Sequence, residues 1–295
     1  MLVKHLLTNR ASNNWKTFFL MSLFLVFIVI LGFLVSVITG DINFLWGAII
    51  FSLGMNFFSY FFSDKIAISV SGAIIADEDK YSELHQIVES LSQRAHIPKP
   101  KVYVINDPGP NAFATGRNEY NSSIAVTTGL VAMMNKNEIE GVIAHELSHI
   151  KNKDILIMSI VVVLAGILSM LANIFISRSF FSSDSKENNA LAFALGIIAA
   201  IVLPISATII QFAISRKREF VADASAGLIT GYPEGLASAL SKISAYPQPL
   251  KNASPSTAHL YIACPFGGVE RQTFFQKLFM THPPVEERIR VLLGK

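Results

Sequence analysis

Four uninterrupted apolar stretches punctuate the chain, at residues 17–38, 42–62, 155–176 and 190–214, and none contains Asp, Glu, Lys, Arg or His. A helix rises about 1.5 Å per residue, so about 20 apolar residues cross a hydrocarbon layer roughly 30 Å thick. Each stretch is long enough to be a membrane span. The apolar core of the first is too long for a cleaved signal peptide and no small-residue cleavage site follows it, so it reads as a signal anchor. Two segments of ordinary polarity separate and follow the spans. The pattern predicts an N-terminal tail with spans one and two (1–62), a soluble segment (63–154), spans three and four (155–214) and a second soluble segment (215–295). The two soluble segments together are long enough to bury one core.

Within them the periodicity changes. Residues 77–95 carry Leu84, Ile87, Val88 and Leu91 at helical spacing, and Pro98 and Pro100 follow as breakers. Residues 101–105 (KVYVI) and 123–127 (SIAVT) read as short strands. Between them, Asn111-Ala112-Phe113-Ala114-Thr115 is bracketed by Pro108, Gly109, Pro110 and Gly116 and reads as an edge strand. A further helix is expected to start near Asn137, with Glu140 completing a capping box. The expected fold is an α-helical membrane protein carrying an α+β, zincin-like catalytic domain.

Composition agrees with that division. Of the 295 residues, 52% are apolar and 15% charged, against about 25% charged in soluble domains. The net charge of +3 is too small to argue for nucleic acid, and the Arg216-Lys217-Arg218 run beside an apolar stretch suits lipid head groups. Lys and Arg also set the orientation: 22 of the 24 lie in the tail, the 63–154 segment or after span four, leaving Arg178 and Lys186 between spans three and four. Basic residues concentrate on the cytoplasmic side. Both termini and both soluble segments are therefore expected in the cytoplasm. The lone Cys264 excludes an internal disulfide framework.

Residues 145–149 read His-Glu-Leu-Ser-His. Two histidines four apart share one helical face and can hold one metal ion, and the glutamate between them can serve as general base. A catalytic zinc takes three protein ligands and keeps one position open. Residue 152 is Asn and residue 155 Ile, so no third histidine continues the motif, and span three has no carboxylate. Asp184 and Glu187 fall on the far side of the membrane. The third ligand is thus expected after span four, where Glu219 comes first and Glu234, Glu270, Glu286 and Glu287 are alternatives. Asp223, one turn beyond Glu219, can accept a hydrogen bond from the free nitrogen of a liganding histidine.

Together with two pairs of spans, the motifs Asn111-Ala112-Phe113-Ala114, Thr128-Gly129-Leu130, His145-Glu146-Leu147-Ser148-His149, Glu219 with Asp223, Thr281-His282-Pro283-Pro284 and Glu287-Arg288 resemble the HtpX family of membrane metalloproteases. That family is distantly related to the CAAX prenyl endopeptidases. The resemblance covers essentially the whole chain. It implies His145, His149 and Glu219 as zinc ligands and Glu146 as catalytic base. It also implies quality control of membrane proteins in the inner membrane under stress, with membrane-protein substrates, the lipid bilayer and other quality-control proteases as partners.

On that footing His282 and Arg288 are candidate oxyanion donors, and residues 111–114 candidate binders of substrate backbone by strand addition. A transporter is the main rival, but such proteins place ionisable groups inside their spans, and these four have none. A non-catalytic zinc scaffold has no use for Glu146. A prenyl-protein peptidase fits a chain with only four spans poorly.

Overall fold

The architecture comes from a computed structural model, which describes residues 2–181, 216–254, 256–267 and 283–294. Helices α1 (Leu2–Thr39) and α2 (Asn43–Val70) pack on each other across the short link at Gly40. The face that α2 buries is not purely apolar: Ser52, Asn56, Ser59 and Ser63 form a stripe at helical spacing, and the Asn56 amide donates to the Met21 carbonyl at 3.0 Å. Small and polar residues suit a helix contact in lipid, where apolar burial gives little driving force. Helix α6 (Asp154–Phe181) is the innermost of the apolar helices, while α1 and α2 leave many large apolar side chains exposed.

Among the described residues three helices are long and apolar enough to cross a membrane, at Asn14–Thr39, Asn43–Val70 and Asp154–Ile174. The expected fourth span at 190–214 and the loop before it lie outside the described residues. Helix α2 continues eight residues past the expected end at 62, because Ser63 and Ala67 stay buried and carry it out of the apolar layer onto the sheet.

The sheet is mixed and four-stranded, in the order β1-β2-β4-β3, with β1 (Ala73–Ile75), β2 (Lys101–Ile105), β3 (Ala112–Asn118) and β4 (Asn121–Thr127). Only β2 and β4 run parallel. Alternation along the strands separates two cores. Val102, Val104, Ala112, Ala114, Ile124 and Val126 face one cluster, built with α3 (Ser82–Ala95) and α5 (Lys136–Lys151). Ile105, Phe113 and Ala125 face the other, which is dominated by α6 and α1. A sheet covered on both faces explains why its strands read as nearly continuous apolar runs. It also fixes the sheet and α5 directly against the apolar helices.

Two expected boundaries move. Helix α3 starts at Ser82 rather than 77, because the Asp77 carboxylate caps the Asp79 and Lys80 N–H groups in a turn. Helix α5 is capped by Asn135, not Asn137, with Glu138 closing the capping box. Glu138 is also held by Ser238 and Lys242 of α8 (Pro233–Ala245), at 2.6 and 2.7 Å. That tertiary tie decides between two equally good Asn/Glu pairs. Helices α4 (Thr128–Met133), α7 (Arg216–Thr230) and α9 (Val285–Leu292) complete the domain. Gly141 lets α5 and α8 approach closely: a Cβ there would stand 2.5 Å from the Leu236 nitrogen.

Candidate metal centre

Helix α5 is wedged between the sheet and helices α3, α7 and α8, so its middle is wholly buried from Ile139 and Gly141 through Ile150. One turn of that helix puts His145 and His149 on the same side, with their Nε2 atoms 3.1 Å apart. Helix α7 brings Glu219 to them: its carboxylate lies 3.9 Å from His145 Nε2 and 3.6 Å from His149 Nε2. Among the described residues this is the one His/Cys/Asp/Glu group able to converge on a metal ion, its donor atoms all within 4.8 Å of one another. Ligands at about 2.0–2.1 Å in a tetrahedral site stand about 3.4 Å apart. The three separations straddle that value, so the donor set fits a small divalent cation.

Charge supports the fit. His145 Nδ1 is 2.9 Å from Asp223 on α7, and Asp223 receives both Nε and Nη2 of Arg288 at 2.9 and 2.7 Å. His149 Nδ1 is 3.1 Å from Asp154, whose other oxygen meets Arg218 at 3.3 Å. Both imidazoles thus point Nδ1 at a carboxylate and Nε2 inward, the arrangement that fixes a liganding tautomer. Four buried carboxylates (Glu146, Asp154, Glu219, Asp223) face two guanidinium groups (Arg218, Arg288). With both imidazoles neutral, as metal ligation requires, two negative charges remain uncompensated, and a divalent cation offsets them.

The same frustration governs the proton affinities of the buried groups. Burial lowers His145 to about 4 despite Asp223 beside it. Burial works in the same sense on His149, but Asp154, Glu219 and Glu146 outweigh it and raise that imidazole to about 9. A positive charge therefore settles at the centre of the cluster. Asp223 would be raised by burial, yet the Arg288 and His145 hydrogen bonds hold it below the ordinary carboxylate range. Burial raises the Glu146 carboxyl to about 7, partly offset by the charge on His149 and by the Ala114 N–H that donates to it.

That last contact joins the cluster to the edge strand. Asn111, Ala112, Phe113 and Ala114 are all buried beside α5, and Ala112, Phe113 and Ala114 belong to β3. Arg288 on α9 is fully buried, with Nη1 3.7 Å from Glu219 and donating to the Ile262 carbonyl at 2.7 Å. His282 and the alternative ligand Glu270 lie outside the described residues. Glu234, Glu286 and Glu287 are not in the converging group.

Asp154 is the residue that sequence reasoning missed. Five positions after His149, it would point away on a continuous helix. Lys153 takes a left-handed φ of 59° instead, and the chain turns Asp154 back at the start of α6. The polar Asn152-Lys153-Asp154 break between the two helical runs was the available signal.

The model of peptidase family M48 matches residues 78–295. A Protease HtpX homolog from Caldanaerobacter subterraneus subsp. tengcongensis is 44% identical over 291 residues, covering 96% of this chain and 95% of its own. One from Campylobacter hominis is 46% identical (93% and 95% covered), and one from Pyrococcus furiosus 48% identical (82% and 83% covered). The crystal structure of S. mikatae Ste24p aligns more loosely, at 21% identity and a TM-score of 0.47 over 94% of this chain and 66% of that one. The chain belongs to peptidase family M48 and is a membrane-associated metalloprotease.

Proposed function

We propose that this protein is an integral zinc endopeptidase of the cytoplasmic (inner) membrane that cleaves misfolded or damaged membrane proteins from the cytoplasmic side. The observation that carries the reading is the convergence of His145, His149 and Glu219, from two helices far apart in sequence, beside a buried glutamate and an edge strand. Zinc suits two imidazoles and one carboxylate with a position left open. Bound there, it would supply Lewis acidity toward the scissile carbonyl and the attacking water.

The chain's own residues do the rest. Glu146, with a proton affinity near neutrality, takes the proton of the attacking water and passes it to the leaving amine. β3, whose Ala112 carbonyl already accepts the Ile262 N–H, would align the substrate backbone as an added strand through the rest of its edge. Arg288, whose buried charge lies close to Glu219, would favour the negative charge that develops on the carbonyl oxygen, and His282 is the proposed second donor. Asp223 and Asp154 hold the imidazoles in register. The catalytic layer sits against α6, so an unfolded segment leaving the bilayer meets the metal site without travelling far, which suits quality control under stress.

The test is casein cleavage by purified protein in detergent. Chelation should abolish it and zinc restore it, while Glu146→Gln should keep its metal and lose cleavage. Cleavage unaffected by chelators, or by the Gln substitution, would remove this mechanism.

A further inference from the structure

We infer that Asp154 is a positioning residue of the metal site, and that with Arg218 it locks the two halves of the ligand set into one register. Each liganding imidazole has its own His–Asp–Arg relay: His145–Asp223–Arg288 on one side and His149–Asp154–Arg218 on the other. The second relay crosses the fold. His149 belongs to α5, Asp154 opens α6, and Arg218 precedes the third ligand, Glu219, on α7. Lys16 of α1 lies within electrostatic reach of both Asp154 and Arg218. One buried carboxylate therefore orients His149 with one oxygen and anchors the Glu219 helix with the other, where the chain enters the membrane layer. Outer partners of this kind set metal affinity by holding ring orientation and tautomer.

This inference rests on the zinc reading and is tested by zinc affinity, from competition with a chromophoric chelator on the full-length protein in detergent. Asp154→Ala should bind zinc about 10–100-fold more weakly, and Asp154→Asn, which still offers an acceptor to His149, should fall between it and wild type. In the cobalt-loaded proteins the d–d bands of Asp154→Ala should shift from the wild-type spectrum. Arg218→Met should weaken zinc by roughly threefold, an effect that disappears in the Asp154→Asn background because the two act through one contact. Asp154→Asn is isosteric and serves where the Ala variant does not fold. Wild-type affinity and an unchanged cobalt spectrum in a folded Asp154 variant overturn the inference. Wild-type protein that binds no zinc, or His145→Ala protein that binds it as well as wild type, overturns the metal reading itself.

Discussion

Replacing Glu146 by Gln should make the metal-free protein more stable in alkaline solution than the wild type. The carboxyl moves from 4.5 in its ordinary state to about 7 in the fold, chiefly through burial. Between those values the folded state holds a proton that the unfolded chain has lost, so stability falls as pH rises from about 4.5 through 7. At 1.36 kcal/mol per unit the full effect is about 3 kcal/mol. The Glu146 charge also helps keep His149 protonated, which returns part of it. The expected gain for Gln is therefore about 1–3 kcal/mol above pH 8, vanishing below pH 4.5, or roughly 2–10 °C in midpoint for a domain of this size. Thermal unfolding of both chelator-treated proteins across pH 4–9 measures it. His149 itself sheds stability as pH rises from 6.5 through about 9 in both proteins, so only their difference reports on Glu146. Curves that stay parallel, or a Gln variant less stable at pH 8, would refute a buried base held out of its ordinary range.

Three further outcomes follow from the same contacts. Arg288→Met should destabilise the fold by about 3–5 kcal/mol in chemical denaturation, because Asp223 and Glu219 lose their buried counter-charge. The destabilisation should shrink when Asp223→Asn is added. Gly141→Ala should cost about 1–3 kcal/mol, since its new methyl meets the Leu236 backbone, which has no rotamer to yield; the thermal midpoint reads it. Glu138→Ala should lose roughly 1–2 kcal/mol with the capping box and its ties to Ser238 and Lys242, without altering zinc content in the folded fraction.

How far the sequence is legible follows from the range of the forces involved. Spans are written in runs of apolar residues, and α1, α2 and α6 fall on the first three of them, α2 running on past its own. The histidine pair is a local helical repeat, and β2 matches residues 101–105 to the residue. Glu219 was named because it follows the fourth apolar stretch, and α7 brings its carboxylate to 3.6 Å from His149 Nε2. What local pattern could not decide was choice between equals and return of the chain. Asn135 and Asn137 are both followed by a glutamate three residues on, and only contact with α8 selects the first. Asp154 needed the left-handed turn at Lys153. The contact of the Asn111 amide with the Ala263 carbonyl joins residues some 150 positions apart, which no spacing rule anticipates.

Metal analysis of the purified protein, wild type beside Glu219→Ala, tests the central claim most directly. Wild type should carry one zinc per chain, and the variant, still folded, should lose most of it. Equal zinc in both would mean that Glu219 does not complete the site, and the convergence of helices α5 and α7 on one ion would be contradicted.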